Sequence, residues 1–170
     1  MPLPRRGFGQ QDQVGESFVF FWSGPFSQWH PSPFVIDGVT YNCAEQWMMA
    51  EKARLFGDTT REAMIMAAAD PSDQKRFGRM VVGFDNVKWL ERARGIVKQG
   101  SVAKYVQNDD LCEILLATAG RTLVEASPYD KLWGIGLRKD DPRAMHRSQW
   151  LGRNWLGEIL TEVRDELQQG

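Results

Sequence analysis

The chain is short of the residues that usually announce a chemistry. Its 170 residues include two cysteines, Cys43 and Cys112, and two histidines, His30 and His146. Two cysteines exclude a scaffold built on disulfides and fit a reducing compartment. The histidines stand alone, with no cysteine or carboxylate at ligand spacing, so no metal and no cofactor are expected. Gly-x-x-x-x-Gly-Lys-Ser/Thr does not occur, which excludes a P-loop. Gly134-Ile135-Gly136 continues into Leu137-Arg138-Lys139 and lacks the third glycine of a dinucleotide fingerprint. There is no Gly-x-Ser-x-Gly, and Ser72/Lys75 and Ser101/Lys104 satisfy Ser-x-x-Lys without its partner motifs. Excess charge is also missing: 21 basic against 22 acidic residues leave a net −1, unlike a dedicated nucleic-acid binder. No run of about 18 apolar residues exists, so no membrane partner is expected. The basic Met1–Arg6 stretch is not followed by the apolar segment of a secretory leader, and a cytoplasmic location is the expectation.

What is abundant is aromatic surface: seven Trp, nine Phe and three Tyr. That much flat surface builds a core, a pocket that stacks a ring, or both. Hydrophobic residues at 42% and charged residues at 25% are globular values. The length suits one domain able to bury a core without staples. Residues 1–16, rich in Gly, Pro and Gln, are expected to be a mobile tail, with one domain over 17–170. Ser17 to Trp22 has the β-branched and aromatic content of a strand. Ser23–Pro33 holds three prolines and a glycine, yet also Phe26, Trp29 and His30, a load that points to packing or to a site. Asp37-Gly38 between Phe34-Val35-Ile36 and Val39-Thr40-Tyr41 is a type I′ hairpin signal.

The spacing then predicts helices. Asn42 with Glu45 resembles a capping box for a helix to about Phe56, stopped at Gly57. Further helices are expected from Thr59 or Thr60 to Asp70-Pro71, from Ser72, from Asn86 past Trp89, Ala93, Ile96, Val97 and Ala103, and from Asn108 to Gly120. Arg121 to Ala126 reads as a strand. Residues 127–153 read as mixed loop and short strand. A last helix follows Asn154, most simply its N-cap. The expected class is α+β, mainly helical with a few short strands, because strands and helices do not alternate regularly.

Two clusters carry candidate chemistry. Glu45, Met48, Met49 and Lys52 share one helix face, with Glu45 and Lys52 about 10 Å apart along the axis. A small ring could lie between them over the methionines; alternatively, Glu45 closes the capping box and Lys52 snorkels. The second cluster is Glu125-Ala126-Ser127-Pro128-Tyr129-Asp130-Lys131-Leu132-Trp133-Gly134, where two carboxylates leave a strand into a turn beside an aromatic ring. A carboxylate near an aromatic wall can act as general acid or base. Otherwise Asp130 caps a turn, Glu125 pairs with a surface cation and Trp133 is core. Trp47 and Trp89 lie in helices and suit a core. Trp22 suits core or pocket wall, and Arg79 suits a phosphate or a helix C-terminus.

Longer motifs in fixed order resemble the YbiA-like proteins of the NADAR superfamily. They run from Phe20-Phe21-Trp22-Ser23-Gly24-Pro25-Phe26 through Tyr41-Asn42-Cys43-Ala44-Glu45-Gln46-Trp47 and Glu51-Lys52-Ala53-Arg54-Leu55-Phe56-Gly57. They continue at Glu125-Ala126-Ser127-Pro128-Tyr129-Asp130-Lys131-Leu132-Trp133-Gly134 and Gly152-Arg153-Asn154-Trp155-Leu156-Gly157. The resemblance implies a YbiA-like α+β domain and an N-glycosidase, with Glu45, Lys52, Trp89, Glu125, Asp130 and Trp133 at family site positions. Gln28 and Gln46 stand where many members carry Asn and His, a departure that bears on substrate preference.

The implied substrate is a small phosphorylated N-riboside, an early riboflavin-pathway intermediate. Alternatives are ADP-ribose on guanine or nucleic acid, and a module that binds an ADP-ribose-like or NAD-like ligand without turnover. Cleaving such a bond builds positive charge on the sugar. Glu125 or Asp130 would face the sugar and water, with Glu45 nearby. Lys52 would bind an anion or attack a ring-opened sugar aldehyde. Trp22, Trp89 and Trp133 would hold the base, and Arg79 the phosphate. No oligomeric state is implied.

Overall fold

The computed structural model describes residues 10–170. Among them it is α+β, with six α-helices and four short strands. Close contacts divide the chain into two units: one runs to Trp22 and resumes over Thr118–Gly170, and the other is Ser23–Ala117.

In the first unit, strand β1 (Phe18–Phe21) pairs in parallel with the later strand Thr122–Glu125, numbered β4. The register runs from Phe18 opposite Thr122 to Phe21 opposite Glu125, so both strands end side by side. Their core face meets Val124, Ala126, Ile135, Leu137, Ala144 and Trp150, with Phe18 and Phe20 packed against them. Burial of each larger aliphatic or phenyl side chain here contributes about 1.5–3 kcal/mol. Helix α6 (Trp155–Gln169) lies on β4, burying Leu156, Ile159, Leu160 and Val163 at helical spacing.

Residues 127–153 hold no strand but two short 3-10 turns, Pro142–Met145 and Arg147–Gln149. The expected short strand fails because the backbone bonds of this stretch cross singly rather than as a ladder. Leu151 N–H donates to Ile135 C=O at 2.9 Å and Arg153 N–H to Lys131 C=O at 2.9 Å. Of the segment expected as a tail, residues 1–9 lie outside the described residues. Beyond them, Asp12 accepts from the Ser148 N–H at 2.9 Å, and Glu16 accepts from Arg147 Nε at 3.0 Å and Thr122 Oγ1 at 2.8 Å.

The second unit opens with the irregular Ser23–Pro33 loop and the hairpin of β2 (Phe34–Ile36) and β3 (Val39–Tyr41). Asp37 and Gly38 have φ of 51° and 79°, the pair of left-handed residues a type I′ turn requires. Helices α1 (Ala44–Leu55), α2 (Thr59–Ala67), α3 (Pro71–Gly78), α4 (Asn86–Gln107) and α5 (Asp109–Leu116) follow. Helix α1 packs on α2, α3 and α4. That explains why it is buried along most of its circumference. Trp47 sits edge-on to Tyr41 at 5.1 Å and donates from Nε1 to Ile96 C=O at 2.7 Å. Gly100 permits this contact, since a Cβ there would fall 2.3 Å from Trp47 Cδ1.

Several helix starts move by one residue from their expected places. Cys43, not Asn42, is the N-cap of α1, which puts Glu45 one position too early for the capping box. Gln46 stands at the third helical position, and its Oε1 accepts from the N–H of Asn42, one residue before the cap, at 2.8 Å. Asp70, expected as a terminator, instead caps α3 by accepting from Ser72 N–H, with Pro71 in the first turn where no N–H is needed. Asp85, not Asn86, caps α4, and α5 ends at Leu116, short of Gly120. Asn154 makes no side-chain cap at all.

Candidate functional site

The residues singled out by sequence fall into two groups, one on each unit. In the Ser23–Ala117 unit, α1 carries Glu45 and Lys52 on one face, and Glu45 is buried. Its N–H donates to Gln28 C=O at 3.0 Å, which ties the start of α1 to the aromatic loop. Between the two charges, Met48 and Met49 are buried. Both are core residues; Met48 Sδ accepts from Gln28 Nε2 at 3.4 Å, and Met49 closes against Gly78.

The Lys52 ammonium meets two rings, 4.6 Å from the Phe84 centroid and 5.9 Å from that of Trp89. Both are within cation–π range. Burial pushes the Lys52 amine below the ordinary lysine range; Glu45 pulls it back up and Arg79 adds to the depression. Glu45, Arg79 and Trp89 therefore all act on the Lys52 ammonium. Arg79 itself is exposed at the C-terminal cap of α3. Phe84 was missed. Its signal was an aromatic residue in a glycine-bounded loop, the same signal that marked Ser23–Pro33. Half-exposed, it also packs edge-on against Phe56 at 5.4 Å.

The first unit holds Trp22, Glu125, Asp130 and Trp133. Glu125 is the last residue of β4 and Trp22 follows the last residue of β1, so both occupy the C-terminal edge of the parallel pair. Ligands favour that edge in parallel sheets. Ile135 N–H donates to Glu125 C=O at 2.9 Å, and the Glu125 carboxylate lies over Gly134, where a Cβ would fall 3.2 Å from Oε2. Asp130 Oδ1 accepts from the N–H groups of Leu132 at 2.9 Å and Trp133 at 2.8 Å. The carboxylate thus shapes its own turn, as its structural reading held, while staying half-buried. Trp133 is half-buried and stands edge-on to Trp155 at 5.7 Å. Trp22 is 53% exposed and leans on the still more open Tyr129 at 6.0 Å, which favours pocket wall over core for Trp22.

Two further residues were underread. Asn154 is buried and bonded to β4, and Lys104 is 2% exposed with its ammonium donating to Ser27 C=O at 3.0 Å. No spacing rule marks a lysine buried within a helix. Among the described residues no group of three or more His, Cys, Asp or Glu is placed to hold a metal ion. None of their helices is long and apolar enough to cross a membrane.

The model of the NADAR domain matches residues 20–168. The N-glycosidase R617 of Acanthamoeba polyphaga mimivirus is 42% identical over 149 residues, covering 85% of this chain and 88% of its own. Protein irg-1 of Caenorhabditis elegans is 36% identical over 168 residues, covering 88% and 79%. The NMR structure of the Escherichia coli protein YbiA superposes with a TM-score of 0.75 at 27% identity, over 94% of this chain and 89% of that one.

Proposed function

The chain belongs to the NADAR domain family, and from that premise we propose that it hydrolyses the N-glycosidic bond of ribosylated aminopyrimidine phosphates. In class it is a hydrolase acting on N-glycosyl bonds. The choice of a flat, anionic substrate rests on one observation: an ammonium, Lys52, lies against the rings of Phe84 and Trp89 within the influence of Arg79 and Glu45. Aromatic faces suit the heterocycle, and two cations suit its phosphate.

Departure of the base leaves positive charge on the sugar. Glu125 and Asp130 between them stabilise that charge and take a proton from the attacking water. In the Ser23–Ala117 unit Glu45 orients Lys52, Trp89 offers a ring face and Arg79 binds phosphate; in the other unit Trp133 and Trp22 offer ring faces. The depressed proton affinity of Lys52 supports a covalent role beside anion binding. As a free amine it attacks C1′ of the ring-opened sugar, held there as an imine to the base nitrogen, and expels the base amine to leave a Lys52 imine, which water hydrolyses to the sugar aldehyde and free Lys52.

The test is release of free base from a ribosylated aminopyrimidine phosphate. Glu125→Gln and Asp130→Asn are each expected to lower kcat by about 100-fold or more. Full activity in both refutes the carboxylate assignment. Borohydride added during turnover traps a Lys52 adduct if the imine forms, and its absence removes the covalent role.

A second reading, release of ADP-ribose from guanine, is favoured by the exposed Trp22–Tyr129 pair, a stacking surface that a single small ring does not need. ADP-ribosylated guanosine offered in the same assay decides between the two.

A further inference from the structure

We infer that Asn154 is a positioning residue for the Glu125 carboxylate. The inference rests on the reading of Glu125 as a catalytic group. Asn154 directly precedes α6, where an asparagine side chain normally accepts an N–H of the first helical turn. Here it does not. Its side chain turns back to the strand: Oδ1 accepts from Glu125 N–H at 3.0 Å, and Nδ2 donates to Leu123 C=O at 3.0 Å. The amide thereby does what a neighbouring strand would do at the edge of β4 facing away from β1. The next N–H on that edge, Leu123, is met by Thr161 Oγ1 at 3.0 Å.

The surroundings are shaped to this arrangement. Asn154 is fully buried and non-glycine, yet holds φ 54° and ψ 37°. This left-handed conformation is uncommon outside glycine, although asparagine tolerates it better than most residues. Its N–H donates to Gly134 C=O at 3.1 Å and its C=O accepts from Glu158 N–H at 2.9 Å. One residue therefore joins the end of β4, the turn after Asp130 and the start of α6. Gly157 leaves the space the amide occupies, since a Cβ there would stand 2.3 Å from Asn154 Oδ1 and 2.1 Å from Leu123 C=O. Gly134 leaves the space for the carboxylate itself. With Asn154 on its N–H and Ile135 on its C=O, the Glu125 backbone is fixed on both sides. A helix cap has been given up at a place where the gain is the direction of one side chain. Local rules break in this way at functional positions.

Asn154→Leu keeps the branched shape at Cγ, with more bulk, and loses both side-chain bonds. Asn154→Asp keeps an acceptor for Glu125 N–H and, when protonated, a donor for Leu123 C=O. In the base-release assay, normalised to folded protein, Asn154→Leu is expected to lower kcat about tenfold or more with KM within about threefold, the pattern of a misaimed group. Asn154→Asp is expected to recover several-fold of that loss, and more at pH 6 than at pH 8. A merely structural role predicts no such recovery per folded molecule. Wild-type kcat in Asn154→Leu beside an inactive Glu125→Gln overturns the positioning role alone. A fully active Glu125→Gln overturns the catalytic reading and the positioning role with it. Should Asn154→Leu not fold, amide exchange of the wild-type protein decides: Glu125 N–H protected like the β4 interior supports the clamp, and exchange at the rate of an exposed loop refutes it.

Discussion

Replacing Lys104 by methionine is expected to flatten the pH dependence of stability between about pH 7 and pH 8.5. Lys104 is buried in the middle of the Ser23–Ala117 unit, with its ammonium on Ser27 C=O at 3.0 Å and 5.1 Å from the Tyr105 ring centroid. Burial pushes its pKa from 10.5 down to about 7. Between those values the unfolded chain holds the lysine proton and the folded chain releases it, so stability rises with pH. Below about pH 7 both states hold the proton and the contribution levels off. The slope approaches about 1.4 kcal/mol per pH unit where only the unfolded form is protonated. Integrated from about pH 7 to 8.5, the gain is about 1.5 kcal/mol.

Cys43 sets the upper end of this window. Burial pushes its thiol from 9.0 up to about 11, so above pH 9 the unfolded chain loses that proton first, and this loss offsets the gain from Lys104. His30 is pushed down by burial and titrates below the window. Urea unfolding at about pH 6, 7 and 8.5, analysed with one m-value, gives the stabilities. The variant also leaves Ser27 C=O without its donor, a cost of about 1–3 kcal/mol at every pH. The informative quantity is therefore the change in the difference between wild type and variant. A difference that stays constant from pH 7 to 8.5 refutes the discharge of Lys104 in the folded protein.

Other perturbations probe the remaining structure. Gly100→Ala drives a methyl into Trp47, whose indole is already fixed on Ile96, and should destabilise by about 1–3 kcal/mol in urea unfolding. Asp130→Asn retains an acceptor for Leu132 and Trp133 N–H, so it should lose activity while keeping its melting temperature. Asp130→Ala should lose about 1–2 kcal/mol as well, since both turn donors are left without it. Phe84→Ala admits water to Lys52 and should raise the midpoint of its titration, followed by NMR of the labelled lysine Cε. A downward shift would mean that the ring face stabilises the ammonium more than it dehydrates it.

The elements were legible where local chemistry decides them. Asp37-Gly38 could only make a left-handed two-residue turn, and the apolar spacing of α4 and α6 permitted only helices. The cap of α1 shifted by one residue because the Asn42 side chain bonds Ala69 C=O and Gln74 Nε2, distant along the chain, rather than an N–H of the helix. The acidic and aromatic residues of the candidate site were visible as types at fixed spacing, and the family motifs gave their order. Spacing could not show that Met48 and Met49 face the core while Phe84, a residue of a different segment, supplies the ring over Lys52.

By itself, then, the sequence determined the α+β class, the turn positions and the helix starts to within about a residue, and the inventory of groups available for N-glycosyl chemistry, since each follows from neighbours along the chain. Tertiary structure alone decided which charges are dehydrated, as at Lys52 and Lys104, and which polar side chains abandon local partners, as Asn154 abandons α6 for β4. Dehydration and hydrogen bonding depend on what surrounds an atom in space, and those neighbours come from segments distant along the chain.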